Sequence, residues 1–314
     1  MITAGGVMYT DNNMICLQCQ NMAFMKRLII LSLIFVSTFA LSAERSSFRI
    51  GSYNLWISNL GKGDNAWEYR RVRLAQSIAD IDFDIFGAQE VDLRIQKELP
   101  SLIENAGGDV YEWFVFSPYT EDGGIGDKAQ AIIYKKNRFE IVDSGHFWFS
   151  ETPDVMSSAW DEIRYRRGAC WAIFRDLKSG VRFFVMHTHM PLGTDAKNHA
   201  AEIIVSKSAE CNPDGLPAFF LGDMNSVPDS KPSEIFRTYW TDVYLELPYK
   251  KMEGPSGTFN AATLNRNMRA ARRIDYIYYR GSIRIKKYFC NTDRYDGFYP
   301  SDHCPIYADI KIKY

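Results

Sequence analysis

The chain has 314 residues, 46% of them apolar and 24% charged, and its formal net charge at pH 7 is −1. This length permits one large domain or two small ones, and the apolar content is ample for a hydrophobic core. The balanced charge excludes a global basic field for binding nucleic acid, although a local basic groove stays compatible with it.

The N-terminal segment has the pattern of an export signal. The basic residues in 25–27 precede an apolar run at 28–41, which ends in Ser42 and Ala43. This run is too short and wrongly flanked for a membrane span, so we expect no stable membrane insertion and a secreted or periplasmic protein. The expected organisation is an upstream extension outside the fold at 1–24, a signal peptide at 25–43 and a single domain at 44–314.

Four cysteines follow the export signal, and their number permits disulfides without requiring them. An exported protein meets an oxidising compartment, in which an even number of cysteines can pair. Their density is far too low for a disulfide scaffold, so we expect buried free thiols and leave pairing open. The four are Cys170, Cys211, Cys290 and Cys304.

Beyond residue 44, apolar runs typical of strands alternate with 3.6-residue periods typical of helices. Strands are predicted at 48–57, 84–91, 111–116, 129–134, 170–177, 181–187, 218–221, 274–279, 283–289 and 306–310. Helices are predicted at 66–81, 93–105, 195–210 and near 232–239, with a long loop at 151–162. The strands at 170–177 and 181–187 are expected to form a hairpin. One domain of packed sheets flanked by helices is the simplest architecture for this order.

Residues 217–226 combine a predicted buried strand with two polar side chains at its end. The continuous apolar run at 218–221 suits a strand that is buried on both faces. Asp223 and Asn225 lie two residues apart, so in extended chain they would project to the same side. A carboxylate beside an amide suits the holding of a phosphate and a water, whereas the alternative for this motif alone is an Asx turn.

Five further groups of polar residues interrupt or close apolar strands. Any one of them has an ordinary explanation, such as a solvated strand end or a packed histidine. Together with Asp223 and Asn225 they indicate one shared site, because ligands of open α/β sheets collect at the carboxyl ends of strands. The groups are Asn54; Gln89 and Glu90; His187 and His189; Asp275; and Ser301, Asp302 and His303.

This set resembles the motif blocks of the endonuclease/exonuclease/phosphatase superfamily, which includes nucleases, deadenylases, sphingomyelinases and inositol-polyphosphate phosphatases. The resemblance covers roughly residues 48–314, with the motifs in the family's order. It implies an α/β fold, a four-layer sandwich of two mixed β-sheets packed face to face with helices outside. The matching blocks are Ser-Tyr-Asn54, Gln-Glu90, Thr-His189, Gly-Asp-x-Asn225, Arg-Ile-Asp275-Tyr and Ser-Asp-His303.

The resemblance also implies a metal-dependent reaction, in which water attacks phosphorus with help from a divalent cation. Glu90 would bind the cation with Asn54 beside it, and Asp302 would be a ligand or would support one. Few, hard oxygen ligands suit Mg²⁺, with Mn²⁺ as a substitute.

The family's catalytic roles fall on five residues of this chain. Asp223 and Asn225 would orient the attacking water and hold the phosphate. His303 would be a general base or an electrostatic partner, with Asp275 fixing its tautomer. His189 would contact a nonbridging phosphate oxygen or protonate the leaving oxygen.

Three arginines are predicted to bind substrate phosphates: Arg70, Arg167 and Arg273. Arg167 belongs to a cluster of arginines around Tyr165 that would stack bases and bind phosphates. The alternatives are a charged strand edge for this cluster and the wet side of a helix for Arg70.

Three functions remain open at this stage. The leading one is a secreted, monomeric Mg²⁺-dependent phosphodiesterase, acting as a nuclease on nucleic acid. The second is the same chemistry on a lipid headgroup, as in a sphingomyelinase, or on a small phosphoester. The third is a non-enzymatic binding module, which would need the loss of a principal site residue.

Overall fold

The computed structural model describes residues 45–313. The predicted upstream extension and signal peptide lie outside these residues. Within them, no helix is both long and apolar enough to cross a membrane. The strands in chain order are β1 (Arg45–Asn54), β2 (Ile85–Val91), β3 (Tyr111–Phe116), β4 (Ala129–Lys135), β5 (Phe139–Trp148), β6 (Gly168–Asp176), β7 (Arg182–His189), β8 (Ala218–Asp223), β9 (Thr241–Asp242), β10 (Met252–Glu253), β11 (Asp275–Arg280), β12 (Ile283–Cys290) and β13 (Ile306–Lys313).

The strands form two mixed sheets. The seven-stranded sheet has the order β10-β12-β13-β1-β2-β4-β3, and the six-stranded sheet has the order β5-β6-β7-β8-β11-β9. A parallel pair lies within each sheet, β1 with β2 and β7 with β8, and antiparallel strands flank it. Each sheet therefore brings the carboxyl ends of two neighbouring strands to one edge.

Helices cover the outer faces of both sheets. The α-helices are α1 (Trp67–Ile81), α2 (Leu93–Asn105), α3 (Thr194–Glu210), α4 (Lys231–Phe236) and the single turn α5 (Val243–Glu246). Leu74 of α1 shares a buried cluster with Phe86 of the seven-stranded sheet, and Ile204 of α3 shares one with Phe220 of the six-stranded sheet.

A third apolar layer lies between the two sheets. The ring of Phe48 in β1 lies 4.8 Å from that of Phe183 in β7, centroid to centroid, and both side chains are buried. Burial of such large rings from facing sheets is a major stabilising contribution, about 1.5–3 kcal/mol for each side chain. The four-layer α/β sandwich implied by the resemblance is therefore confirmed.

Most predicted elements are present, and the main omission is β5. This strand pairs antiparallel with β6 at an edge of the six-stranded sheet. Its centre, including Asp143 and Ser144, is exposed, so no apolar run marked it in the sequence. The predicted hairpin exists as β6 and β7, and the helix expected near 232–239 ends at Phe236.

All four cysteines in the described part of the chain are free thiols. Cys170, Cys290 and Cys304 are buried, and Cys211 is half-buried. The expectation of buried free thiols therefore agrees with the structure for three of the four.

Candidate active site

The predicted site residues converge where the carboxyl ends of the two parallel strand pairs meet. Asn54 ends β1 next to the end of β2, where Glu90 lies, and His189 and Asp223 are register partners at the ends of β7 and β8. Asp275 opens β11 directly opposite Asp223. The amide Nδ2 of Asn54 donates to Asp223 Oδ2 at 3.2 Å, which links the two sheets through side chains.

His303 and Asp275 form a buried pair. The distance from His303 Nδ1 to Asp275 Oδ2 is 2.9 Å, and Nε2 of the same ring lies 3.7 Å from Asp223 Oδ2. Burial opposes a charge on the ring, but the carboxylates of Asp275 and Asp223 outweigh it and raise the pKa of His303 well above its ordinary value. The ring is therefore held as an imidazolium, which favours the electrostatic role over the general base.

Asp223 is the carboxyl group that titrates near neutral pH. Burial and then repulsion from Asp275 raise its pKa to about 7, against the lowering effects of His303 and of hydrogen bonds from Asn225 and Asn54. A proton acceptor for water is most effective when its pKa lies near the operating pH. Asp223 thus has the properties of the group that takes a proton from the attacking water.

His189 is held neutral. Burial lowers its pKa well below the ordinary value, and the positive charges of Arg167 and His303 add to this effect, although Asp223 Oδ2 lies only 3.5 Å from its Nε2. A neutral ring donates one hydrogen bond but is a poor acid. This favours contact with a nonbridging phosphate oxygen over protonation of the leaving group.

Asn225 departs from the extended geometry expected for it. Strand β8 ends at Asp223, and Asn225 has a φ of 48°, in the left-handed region that asparagine tolerates. The backbone N–H of Asn225 donates to Asp223 Oδ1 at 2.9 Å, so the alternative Asx turn forms. Its Nδ2 donates to the carbonyl of Met190 at 3.0 Å. The expectation that both side chains project from one face of a strand is wrong.

Side-chain oxygens that could bind a cation lie at the edge of the seven-stranded sheet. Glu90 Oε2 accepts from the backbone N–H of Ile57 at 2.8 Å, and Asn54 Oδ1 accepts from that of Trp56 at 3.0 Å. Burial raises the pKa of Asp302 to about 6, and the charge of Glu90 adds to this effect.

The buried charges fit a divalent cation. The charges of Asp223, Asp275 and Asp302 act on His303, and those of Glu90 and Arg70 act on Asp302. Asp275 Oδ1 is buried and has no hydrogen-bond partner within the described part of the chain. Ligand atoms of Asp223, Asp275 and His303 lie within 4.8 Å of one another, but the His303–Asp275 hydrogen bond already engages two of these groups. The hard oxygens of Glu90, Asn54 and Asp302 are the better set for Mg²⁺.

Arg70 requires a correction. Its side chain is fully buried, and the guanidinium donates to the carbonyls of Leu55 at 2.6 Å and Trp56 at 2.5 Å. It therefore fixes the loop after β1, whose N–H groups hold Glu90 and Asn54. A guanidinium engaged in this way does not bind substrate.

Arg273 requires the same correction. It is buried and forms a bidentate ion pair with Asp242, with distances of 2.8 and 3.0 Å. Its guanidinium also lies 4.4 Å from the ring centroid of Tyr276. Both contacts stabilise the fold beneath the site.

Arg167 is the predicted substrate arginine that reaches an open pocket, named here the tyrosine pocket. This pocket has a volume of about 310 Å³, and its lining includes Glu90, His189, Arg167, Tyr119 and Tyr165. The ammonium of Lys128 also lines it, 5.3 Å from the ring of Tyr119 and 4.8 Å from that of Tyr165. Cations beside aromatic rings suit an anionic or planar substrate group.

Gln130 is a positioning residue that the sequence analysis missed. Its Oε1 accepts from the backbone N–H of His189 at 2.7 Å, and its Nε2 donates to the carbonyls of Gly168 and His187. A glutamine inside the apolar run of β4 was the available signal, since a buried amide needs partners.

Comparison with known proteins agrees with this geometry. The sequence profile described as the Endonuclease/Exonuclease/phosphatase family matches residues 51–303. A family protein from Bacteroides thetaiotaomicron superposes with a TM-score of 0.75 at 29% identity, covering 87% of this chain and 97% of that one. A mannosyl-6-phosphatase from B. thetaiotaomicron VPI-5482 gives a TM-score of 0.72 at 29% identity, covering 84% and 99%.

A curated relative is more distant. The 3'-5'-exoribonuclease subunit Ccr4 of the CCR4-Not complex from Candida albicans is 21% identical over 301 residues. The match covers 79% of this chain but only 38% of that relative's length. The match to the family profile extends over most of the chain and includes the motifs that meet in the site. The chain therefore belongs to the Endonuclease/Exonuclease/phosphatase family of metal-dependent hydrolases that act on phosphoester bonds.

Proposed function

We propose that this protein is a secreted Mg²⁺-dependent phosphodiesterase whose substrate is nucleic acid. The observation that carries the proposal is a pair of pockets that share no lining residue, each of which is lined by residues of the site. One is the tyrosine pocket of about 310 Å³, and the other, of about 280 Å³, is lined by Asn225 among others.

The residues of the site divide the reaction between them. Asp223 takes a proton from water as the water oxygen bonds to phosphorus and the bond to the leaving oxygen breaks. The imidazolium of His303 offsets the charge that develops on the phosphoryl oxygens, and neutral His189 donates a hydrogen bond to one of them. A bound divalent cation would add Lewis-acid stabilisation of the same charge and lower the pKa of its neighbours. The proton on Asp223 finally passes to the leaving alkoxide, directly or through solvent.

Two pockets favour a diester over a monoester. The phosphorus of a diester carries two substituents, and each pocket would hold one of them. Tyr119 and Tyr165 with Lys128 suit a nucleobase and its backbone in the tyrosine pocket, because stacking on an aromatic ring tolerates any base. The distant Ccr4 relative is an exoribonuclease subunit, which is compatible with this proposal.

A sugar phosphomonoester is the second candidate. The observation in its favour is the 29% identity to a mannosyl-6-phosphatase over 84% of the chain. With such a substrate, the tyrosine pocket would hold the sugar and the pocket at Asn225 would not be used for the leaving group.

A substrate screen separates these candidates. Residues 44–314 would be incubated with Mg²⁺ and DNA, RNA, sphingomyelin, inositol phosphates, mannose 6-phosphate, p-nitrophenyl phosphate and bis-p-nitrophenyl phosphate. We expect the diester bis-p-nitrophenyl phosphate and an oligonucleotide to be hydrolysed, with the His303→Ala variant as the control against a contaminating enzyme. Hydrolysis restricted to the monoesters would overturn the diester proposal, and no hydrolysis at all would favour a binding module.

Export has its own test. The motif at 25–43 implies that protein recovered outside the cytoplasm begins after Ala43. N-terminal sequencing of that material would contradict cleavage if it found Met1 or Met25. We expect this mature protein to elute as a monomer in size-exclusion chromatography.

A further inference from the structure

We infer that the pocket beside Asn225 binds a second phosphate group of the substrate. We name it the lysine pocket after Lys197 and Lys231, which line it. The inference rests on the proposed function and adds that the substrate carries a phosphate next to the one that is hydrolysed.

The lysine pocket joins the catalytic centre through Asn225. It has a volume of about 280 Å³ and lies between the loop that follows β8 and the starts of α3 and α4. Lys197 Nζ donates to the backbone carbonyl of Asn225 at 3.1 Å, so one cation of the pocket is fixed against the Asx turn of the site.

A second connection runs through Arg272. Its guanidinium lies 5.2 Å from the ring centroid of Phe259, and that ring packs 5.0 Å from the ring of His303. A group held by Arg272 would therefore lie close to the catalytic pair.

The positive charge of the pocket is not compensated. Lys197, Lys231 and Arg272 all line it, and within residues 45–313 none of the three forms an ion pair with a carboxylate. Some other cations in the same range are compensated, as Lys135 is by Asp82 at 2.6 Å. Three cations without counter-charges beside a phosphoester site fit an anionic part of the substrate.

Ser226 gives an independent indication of a ligand. Its side chain is only 5% exposed, it lines the pocket, and its Oγ has no hydrogen-bond partner among residues 45–313. A buried hydroxyl without a partner costs free energy, so it is a group for which a ligand oxygen would be a gain. The backbone carbonyl of the same residue accepts from Tyr276 Oη at 2.8 Å, which fixes its position.

A phosphate is the anion that this set matches. Two ammonium groups, a planar guanidinium and a hydroxyl supply donors from several directions, as a tetrahedral group with several acceptor oxygens requires. Two sources share this chemistry. One is the neighbouring phosphate of a polynucleotide, and the other is the second phosphate of a small bisphosphate.

The test compares matched substrates in a double variant, Lys231→Gln with Arg272→Gln. One substrate is thymidine 5′-(p-nitrophenyl phosphate), and the other carries an additional 3′-phosphate. We expect the extra phosphate to raise kcat/KM of the native protein by roughly 10–100-fold, the effect of one or two charge-assisted hydrogen bonds. The double variant should lose this advantage, so that its kcat/KM values for the two matched substrates become nearly equal.

The matched control is Lys250→Gln, which removes an exposed cation that lines neither pocket. It should leave the preference for the extra phosphate unchanged. An equal loss on all substrates in the double variant, or no loss on any, would overturn the inference. The two sources are separated by comparing the hydrolysis of a hexose 1,6-bisphosphate with that of hexose 6-phosphate. If the native protein prefers the bisphosphate and the double variant does not, the second phosphate belongs to a small bisphosphate.

A binding measurement keeps this inference separate from the proposed function. Calorimetry with thymidine 3′,5′-bisphosphate uses the His303→Ala background, so it needs no turnover. We expect the affinity to fall by roughly 10-fold or more when Lys231→Gln and Arg272→Gln are added. Absence of diester hydrolysis in the substrate screen would refute the diesterase proposal. An affinity for the bisphosphate that the two substitutions leave unchanged would refute the phosphate subsite.

A further variant, Ser226→Ala, tests whether the hydroxyl of Ser226 binds the ligand or stabilises the fold. Because Ser226 Oγ has no partner among the residues that the structure describes, the melting temperature should not fall, while the affinity for the bisphosphate should drop several-fold. A loss of stability with unchanged affinity would contradict the ligand role.

Discussion

The two sheets contribute different chemistry to the active site. At the edge of the seven-stranded sheet, Asn54 and Glu90 are held by backbone N–H groups of the following loop. At the edge of the six-stranded sheet, Asp223 Oδ2 lies 3.5 Å from His189 Nε2, and burial and the charge of Asp275 raise the pKa of Asp223. The first arrangement is a fixed set of oxygens, typical of a cation site, and the second is a coupled set of titratable groups, typical of proton transfer.

The division explains why the site lies between the sheets. Asp275 belongs to β11 of the six-stranded sheet, whereas His303 precedes β13 of the seven-stranded sheet, and their hydrogen bond crosses the sandwich. The Asn54–Asp223 bond crosses it as well. Mutations can therefore affect cation binding and proton transfer separately. Catalysis, however, needs the two sheets in their correct relative position.

The largest expected effect comes from breaking the pair that crosses the sandwich. His303→Ala should lower kcat/KM by roughly 10²–10⁴-fold, the range covered by positioned electrostatic and acid–base groups. Asp275→Asn should be nearly as harmful, because the ring of His303 would lose the carboxylate that orients and charges it. The measurement is steady-state hydrolysis of whichever diester the screen identifies.

The double variant decides whether the two residues act as one unit. Groups that work together are not additive, so it should be little worse than either single variant. Losses that multiply would show that His303 and Asp275 act independently.

The second effect concerns the oxygen set of the seven-stranded sheet. Glu90→Gln keeps the size of the side chain and removes its charge, so kcat/KM should fall by roughly 10³-fold at fixed Mg²⁺ and recover partly at high Mg²⁺. Activity of the native protein should vanish in EDTA and return with Mg²⁺ or Mn²⁺. The matched control is Glu112→Gln, which removes a surface ion pair with Lys136 and keeps a side-chain oxygen that can accept from Tyr134 Oη. Full activity in chelator would contradict a metal-dependent role for this edge.

Much of this site could be predicted because its residues interrupt apolar strands. An apolar run that ends in Asp223, or in Gln89 and Glu90, marks both the strand and its functional end. The long helices α1 and α2 could also be predicted from the sequence, because their apolar residues repeat at helical spacing.

The errors come from features that depend on tertiary packing. Arg70 and Arg167 are both arginines near motifs, yet one is fully buried and the other lines a pocket. The available signal was spacing, because Arg70 lies three residues after Trp67 and four before Leu74, on the buried face of α1. Asn225 was misplaced because a turn held by one side-chain bond leaves no trace in hydrophobic patterning.

The third effect tests the support of the oxygen set. Arg70→Met removes donors from the buried carbonyls of Leu55 and Trp56, which should cost about 2–4 kcal/mol of unfolding free energy. The loosened loop should also raise the Mg²⁺ concentration at half-maximal activity by roughly 10–100-fold. Urea unfolding and a Mg²⁺ titration measure the two changes.

Arg167→Met is the matched control for Arg70→Met. Arg167 is half-buried in the tyrosine pocket, so this variant should keep its stability and its Mg²⁺ requirement and raise KM. The structural assignment of Arg70 would be wrong if both variants changed only KM.

The smallest effect concerns His187, which lies between the sheets directly beneath the site. Its ring nitrogens are 3.2 Å from the carbonyl of Leu221 in β8 and 3.0 Å from that of Ala88 in β2. Burial lowers its pKa to about 4. The native state therefore resists protonation between this value and the ordinary 6.5, whereas the unfolded chain accepts a proton there.

The sign of the pH dependence follows from this difference. As pH falls from about 6.5 to about 4, the unfolded state binds the additional proton, and His187 should remove up to about 3 kcal/mol of unfolding free energy. In His187→Gln this loss should be absent, whereas the exposed His199→Gln should behave like the native protein. Urea unfolding at pH 7, 5.5 and 4.5 measures this loss of unfolding free energy in all three proteins. Titration of Asp223 and Asp302 affects the native and His187→Gln proteins alike, so it cancels when their unfolding free energies are subtracted. An equal dependence of unfolding free energy on pH in the two proteins would refute the neutral buried ring.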